Sequence, residues 1–269
     1  MSEVIDISIV VPLYGCEKYI HELYKRVKKS LELNSLKAQF VFVNDGSPGN
    51  DWAVVEELAN NKKDVLAINL SRNFGQHQAI TAGLTYAKGN WVVVMDGDLQ
   101  DSPEEIINLY NKAHDDFDIV YAQRKERKDT GIKKMSSRLY YAVFSYLTDS
   151  KQDKSIANFG IYNKKVIKAI LSMQDHERYF PTMSQWVGFK SSTLEVEHHE
   201  RDGQTGYSWS ALIKLAFNNI IAYSDKPLRL TVRLGLIISI LSFFIGIFYL
   251  IQSIRGVIEV QGFVSLIIS

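Results

Sequence analysis

An α/β doubly wound, mostly parallel sheet followed by a C-terminal membrane helix is the fold class that three features of this 269-residue sequence predict. Short apolar, β-branched runs alternate with helical patterns over residues 4 to 122. The residues just after each run are polar or acidic, and the stretch from 230 to 269 is dominated by apolar side chains. Strands that alternate with helices are joined by crossovers, so they lie parallel and are covered on both faces.

The strand runs are ISIVV (7 to 11), FVFV (40 to 43), VLAINL (65 to 70), WVVVM (91 to 95) and DIVYA (118 to 122). Each is a continuous apolar run rather than an alternating one, as a strand buried on both sides requires. Residues 18 to 33, 51 to 60, 76 to 87 and 103 to 113 read as the intervening helices, the last with Ser102 as N-cap and Pro103 at its first position.

From Leu234 to Ile251 no residue is charged. Eighteen residues of helix span roughly 27 Å, close to a bilayer core. Lys226, Arg229 and Arg233 precede this segment and only Arg255 follows it, a basic bias that places the N-terminal side in the cytoplasm. The start MSEVIDISIV enters a strand pattern without the features of a signal peptide. Residues 211 to 222 are amphipathic, as either a helix on the membrane surface or a core helix. GFVSLIIS (262 to 269) reads as the beginning of a second apolar segment. The expected organisation is a globular domain over 1 to 209, an amphipathic interface helix over 210 to 228 and an anchor over 229 to 269.

The charge balance, 31 Lys plus Arg against 30 Asp plus Glu with 46% hydrophobic residues, excludes a disordered or collagen-like chain. A formal charge of +1 gives no support to nucleic-acid binding. The one cysteine, Cys16, forms no internal disulfide, which fits a reducing compartment.

In doubly wound sheets ligands bind at the carboxyl ends of the strands. Here those positions carry PLYGCEKY after the first strand, NDGS (44 to 47), SRNFG (71 to 75) and DGDLQD (96 to 101). There is no GxGxxG and no GxxxxGK[ST], which disfavours a nicotinamide enzyme or a P-loop ATPase. Asp96 and Asp98 stand two apart at a strand end and offer hard oxygen ligands suited to Mg²⁺ or Mn²⁺. Asp45 is either a hydrogen-bond acceptor for a nucleobase or ribose, or part of an Asp-Gly turn. His198, His199 and Glu200 form the one histidine cluster; neighbouring residues on a strand face opposite sides, which argues against a shared metal.

In order and spacing, SIVVPLYG (8 to 15), VNDGS (43 to 47), LSRNFGQHQAITAGL (70 to 84) and VVVMDGDLQDSPEEI (92 to 106) resemble glycosyltransferase family 2. Within it they resemble the polyprenyl-phosphate glycosyltransferases. The resemblance covers nearly the whole chain. It implies a GT-A fold, a nucleotide-sugar donor, Mg²⁺ or Mn²⁺, a polyprenyl phosphate acceptor and a place at the cytoplasmic face of the inner membrane, and it leaves room for a homo-oligomer. By resemblance Pro12, Tyr14, Glu17, Asp45 and Arg72 are donor-binding, and Asp96, Asp98 and Gln100 hold the metal and diphosphate. Arg124, Lys134, Ser137 and Arg138 meet the acceptor phosphate, and Arg201 closes over it on a loop.

One position departs from the family pattern. Relatives often have an aspartate in a GDF segment, whereas IANFGIY here carries Asn158, and an amide is no general base. A hydroxyl acceptor needs a base to take its proton; a lipid monophosphate, charged about −1.5 to −2 at pH 7, does not. The sequence therefore favours inverting transfer to a lipid phosphate. The segment KKMSSRLYYAVFSYL (133 to 147), basic and then aromatic, suits lipid headgroups, or an ordinary core helix. Two other functions are a membrane glycosyltransferase acting on a hydroxyl, with Asp153, Asp175 or Glu177 as base, and a non-catalytic nucleotide-binding scaffold. The processive-synthase pattern QxxRW is missing, with SQWVGF (184 to 189) in its place, which lowers the first of these.

Overall fold

In the computed structural model, residues 4–124, 156–174, 178–196 and 226–255 are described. They fall into two compact units. The larger, within Met1–Ser136 and Lys151–Gly206, is the α/β domain. The smaller, within Ser137–Ser150 and Tyr207–Ser269, contributes one long helix among the described residues.

The α/β domain is built on β1 (Ile7–Leu13), β2 (Ala38–Asn44), β3 (Val65–Asn69), β4 (Trp91–Val94), β5 (Ile119–Arg124), β6 (Ile156–Asn163) and β7 (Ser191–Val196). Its helices are α1 (Ile20–Leu33), α2 (Asp51–Asn61), α3 (Gln76–Tyr86), α4 (Glu105–Ala113), α5 (Lys164–Ser172) and α6 (Phe180–Trp186). The strands form one sheet in the order β3-β2-β1-β4-β6-β5-β7. All neighbours are parallel except β6, which runs antiparallel to both β4 and β5. The doubly wound, mostly parallel sheet read from the sequence is therefore the observed architecture.

Period-two geometry decides which side chain enters which layer. Ile7, Ile9, Val11 and Leu13 of β1 point into one core with Phe40 and Phe42 of β2, against Ile20, Leu23, Val27 and Leu31 of α1, Val55 of α2 and Ile106 and Leu109 of α4. The apolar positions of α1 recur three and four apart, so a single stripe faces the sheet. Val10, Val41, Val43, Val92 and Val94 point the other way, into a second core with Ile80 and Leu84 of α3, Val166 and Ile170 of α5 and Phe180 of α6. Burial on both faces is what the unbroken apolar runs encode. The edge strand β7 instead alternates exposed and half-buried residues.

Boundaries moved where turns, rather than strand composition, set them. The helix expected from residue 103 begins at Glu105. Ser102 and Pro103 lie in the preceding turn, their carbonyls accepting from the Glu105 and Ile106 amides, so Ser102 is not the side-chain cap. The cap that does form is Asn163, whose Oδ1 accepts from the Lys165 amide at 3.0 Å at the start of α5. Asn163→Ala is expected to lower stability by about 1 kcal/mol, read as a fall in thermal midpoint without a change in the folded far-UV spectrum.

The long helix α7 (Lys226–Ile254) exceeds the expected 234 to 251 at both ends, because a helix is not obliged to stop where the apolar stretch does. Its segment Leu228–Ile254 contains an 18-residue stretch of mean hydropathy 2.6 with no buried residue among those described, long and apolar enough to cross a membrane. The amphipathic stretch 211 to 222, the segment 133 to 147 and the tail 262 to 269 lie outside the described residues.

Candidate functional site

Because β1, β2, β3 and β4 are mutually parallel, their carboxyl ends open at one edge of the sheet. The strand order reverses between β1 and β4, the switch point at which α/β sheets form a crevice. The four loops that follow these strands are tied to one another by side chains.

The first tie joins the loop after β1 to the start of α2. Asp51, fully buried, accepts from the Cys16 amide with both carboxylate oxygens, at 3.1 and 3.0 Å. Ser47 Oγ accepts from the Gly15 amide at 3.0 Å, and Glu17 Oε2 accepts from the Asn50 amide at 2.8 Å. Glu17 thus holds the loop, while Tyr14 stands exposed at its tip. Pro12 is buried inside β1, in register with Val43.

The second tie joins the end of β2 to the loop after β3. Asp45 is only 3% exposed, and its two oxygens accept from the Phe74 amide at 2.8 Å and the Gly75 amide at 2.9 Å. Gly46, at φ +61°, lies so close that a Cβ would stand 2.5 Å from the Arg72 carbonyl carbon and the Asn73 amide nitrogen. Gly75, at φ +99°, then turns the chain into α3. Arg72 stacks its guanidinium over the half-exposed Phe74 ring at 4.5 Å, a cation–π pair at the mouth of the site.

The third tie reaches β4. Gln76, the first residue of α3, donates from Nε2 to Asp96 Oδ1 at 2.6 Å. Asp98 Oδ1 accepts from the Gln100 amide at 3.2 Å. Between them Leu99 adopts φ +59°, a left-handed conformation unusual for leucine, and packs its side chain on the core. Gly97 presses against β1 and its loop, since a Cβ there would be 2.9 Å from Leu13 Cδ2 and 3.3 Å from Cys16 Sγ. A glycine between two aspartates is thus a packing requirement, and it lets both carboxylates share one short turn.

The chemistry of this donor set is of the kind that suits a divalent ion. Asp96, Asp98 and the side-chain carbonyl of Gln100 offer hard oxygen donors, while among the described residues no three His, Cys, Asp or Glu side chains gather into a metal-holding cluster. Few protein ligands and several positions left to water or phosphate oxygens are the usual arrangement for Mg²⁺.

Asn158 of β6 is half-buried, in a strand interior to the sheet. Arg124 is the last residue of β5, in register with Val196. Lys134, Ser137, Arg138 and Arg201 lie outside the described residues, as do Asp153, Asp175, Glu177 and the His198–Glu200 cluster. Sequence reading missed Ser47, Asp51 and Gln76, whose roles are contacts 20 to 35 residues apart that no local pattern encodes.

His77, next to Gln76, meets Tyr179 edge-on at 4.4 Å, and its Nδ1 has no hydrogen-bond partner among the described residues. Burial pushes its imidazole down to about 4. The folded protein thus prefers neutral His77, and this contribution is complete above the unfolded value near 6.5 and lost as pH falls towards 4. His77→Phe is expected to flatten the stability profile across that window, by up to about 1.4 kcal/mol per pH unit, in denaturant titrations at stepped pH.

A model of the family described as Glycosyl transferase family 2 matches residues 8–173. The chain is 31% identical over 265 residues to a prophage bactoprenol glucosyl transferase homolog of Escherichia coli K12, covering 98% of this chain and 87% of the relative. It is also 31% identical over 251 residues to the undecaprenyl-phosphate 4-deoxy-4-formamido-L-arabinose transferase of Proteus mirabilis, covering 91% and 76%. Among solved structures, the mannosyltransferase PcManGT of Pyrobaculum calidifontis, in complex with GDP-Man and Mn²⁺, superposes with a TM-score of 0.55 over 85% of this chain and 65% of its own, at 15% identity. That likeness is one of fold.

Proposed function

The chain belongs to glycosyltransferase family 2 and is a glycosyltransferase of GT-A type, and from that premise we propose that it moves a sugar from a nucleotide-sugar donor to a polyprenyl phosphate at the cytoplasmic face of the inner membrane. The observation that carries this reading is the likeness to two transferases named for bactoprenol and undecaprenyl phosphate, which extends over nearly the whole chain. The membrane-length helix α7 and the basic residues Arg229 and Arg233 near its N-terminal end support a membrane enzyme with its site on the cytoplasmic side.

In this reading the donor lies across the carboxyl ends of β1 to β4. Tyr14, Arg72 and the Asp45-held loop flank the nucleoside, and Asp96 and Asp98 face the diphosphate. Asp96, Asp98 and Gln100 would hold a divalent ion, which when bound would supply electrostatic stabilisation of the charge developing on the leaving diphosphate. The acceptor phosphate attacks the anomeric carbon from the opposite side with no proton to lose, so Asn158 at the family's aspartate position is tolerated. Arg124, Lys134, Ser137, Arg138 and Arg201 are the acceptor-phosphate candidates.

The test is to incubate detergent-solubilised protein with radiolabelled nucleotide sugars, Mg²⁺ or Mn²⁺ and polyprenyl phosphate. A mild-acid-labile lipid product that requires the polyprenyl phosphate is expected. Label that appears only in a hydroxyl-linked glycan contradicts the proposal.

A further inference from the structure

We propose that Gln76 is a positioning residue for Asp96, fixing that carboxylate so that it meets the divalent ion and diphosphate in a set orientation, a role that rests on the donor reading above. The 2.6 Å contact from Gln76 Nε2 to Asp96 Oδ1 is among the shortest side-chain hydrogen bonds at the strand ends. An ionised aspartate only accepts, so the glutamine must present its amide nitrogen here; the donor assignment follows from the chemistry of the pair. A hydrogen bond to a charged oxygen is short and strong for its kind.

The position of Gln76 is itself held. Asp45 grips the Phe74 and Gly75 amides, Gly46 packs against the backbone of Arg72 and Asn73, and Gly75 turns directly into Gln76 at the head of α3. One continuous run of contacts therefore links the end of β2, the loop after β3 and the carboxylate after β4. Its two ends are Asp45 on the nucleoside side and Asp96 on the diphosphate side. A donor that seats on the Asp45-held loop finds Asp96 already oriented.

The energetic consequence follows from what binding otherwise costs. With one oxygen engaged by Gln76, the Asp96 carboxylate gives up its rotational freedom on folding rather than when the ion arrives. Outer partners that orient metal-ligating carboxylates typically change metal affinity 10- to 100-fold when removed. Gln76 is itself exposed, so its removal takes little packing from the fold.

The experiment uses the full chain in detergent, with Mn²⁺ titrated in the presence of UDP or GDP and free ion read by electron paramagnetic resonance. Gln76→Leu keeps the bulk and removes the donor. We expect Mn²⁺ affinity to fall about 10- to 100-fold in Gln76→Leu, with the thermal midpoint unchanged. Wild-type affinity in Gln76→Leu, or a loss that only tracks a lowered midpoint, overturns the positioning role while leaving the donor reading intact. A wild-type chain that takes up neither nucleotide nor Mn²⁺ overturns the donor reading and the positioning role with it.

Discussion

Asp98→Asn is expected to leave a folded protein whose transfer rate falls by about 10²- to 10³-fold or more, the cost of removing one preorganised electrostatic contact to a transition state. The substitution is nearly isosteric and the Gln100 amide still finds an oxygen to donate to, so the turn keeps its shape. What disappears is one of the two negative charges on that turn, and with it the affinity for a divalent ion that would stabilise the leaving diphosphate. Asp96→Asn is expected to act as strongly. Its amide also faces the Gln76 amide across a 2.6 Å contact, so donor meets donor unless one side flips. Single-turnover transfer at saturating nucleotide sugar, with circular dichroism as the control for folding, separates lost chemistry from lost structure. Transfer within threefold of wild type in both variants contradicts the assignment of the site.

Gly46→Ala is expected to be strongly disruptive for a change of one methyl group. The added Cβ falls 2.5 Å from two backbone atoms of Arg72 and Asn73, and backbone has no side-chain rotamer with which to yield. Gly46 also sits at φ +61°, where a non-glycine residue costs about 1–2 kcal/mol, and overpacking adds about 1–3 kcal/mol. Relief is available only by lifting the loop after β3 away from Asp45, which breaks the hydrogen bonds to the Phe74 and Gly75 amides. Stability should therefore fall by about 3 kcal/mol, and nucleoside diphosphate binding should weaken with it. Calorimetric titration of UDP or GDP against the variant, below its lowered midpoint, reads the second effect separately from the first.

How far the sequence carries depends on whether a residue's role is local. The runs ISIVV and FVFV announced β1 and β2 because a strand covered on both faces needs every side chain apolar, whichever core it enters. Asp96 and Asp98 stood out because they end an apolar strand run and are followed by Gln100 and Asp101, whereas a D-x-D alone is common in surface turns. Glu17 and Asp45 were legible as important and less so in how they act. Both carboxylates hold backbone amides of a neighbouring loop, a role that depends on which strands become neighbours. The contacts of Asp51, Ser47 and Gln76 gave no signal, even though the last two sit in the quoted motifs, since each meets its partner only once the sheet has formed. Gly97 stood out in no local pattern, and the reason for it is the proximity of Leu13 and Cys16. The expected cap at Ser102 failed because the following residues make a turn first and a helix from Glu105.

These particulars meet in one chemical claim, that this glycosyltransferase works without a general base because its acceptor is already an anion. Asn158, half-buried in β6 at the position where the family resemblance leads one to expect an aspartate, is the residue on which that claim leans. The most direct measurement offers the solubilised protein two acceptors of equal chain length, a polyprenyl phosphate and the corresponding polyprenyl alcohol, with the same labelled nucleotide sugar and Mn²⁺. Only the phosphate is expected to be glycosylated. Comparable transfer to the alcohol would contradict it.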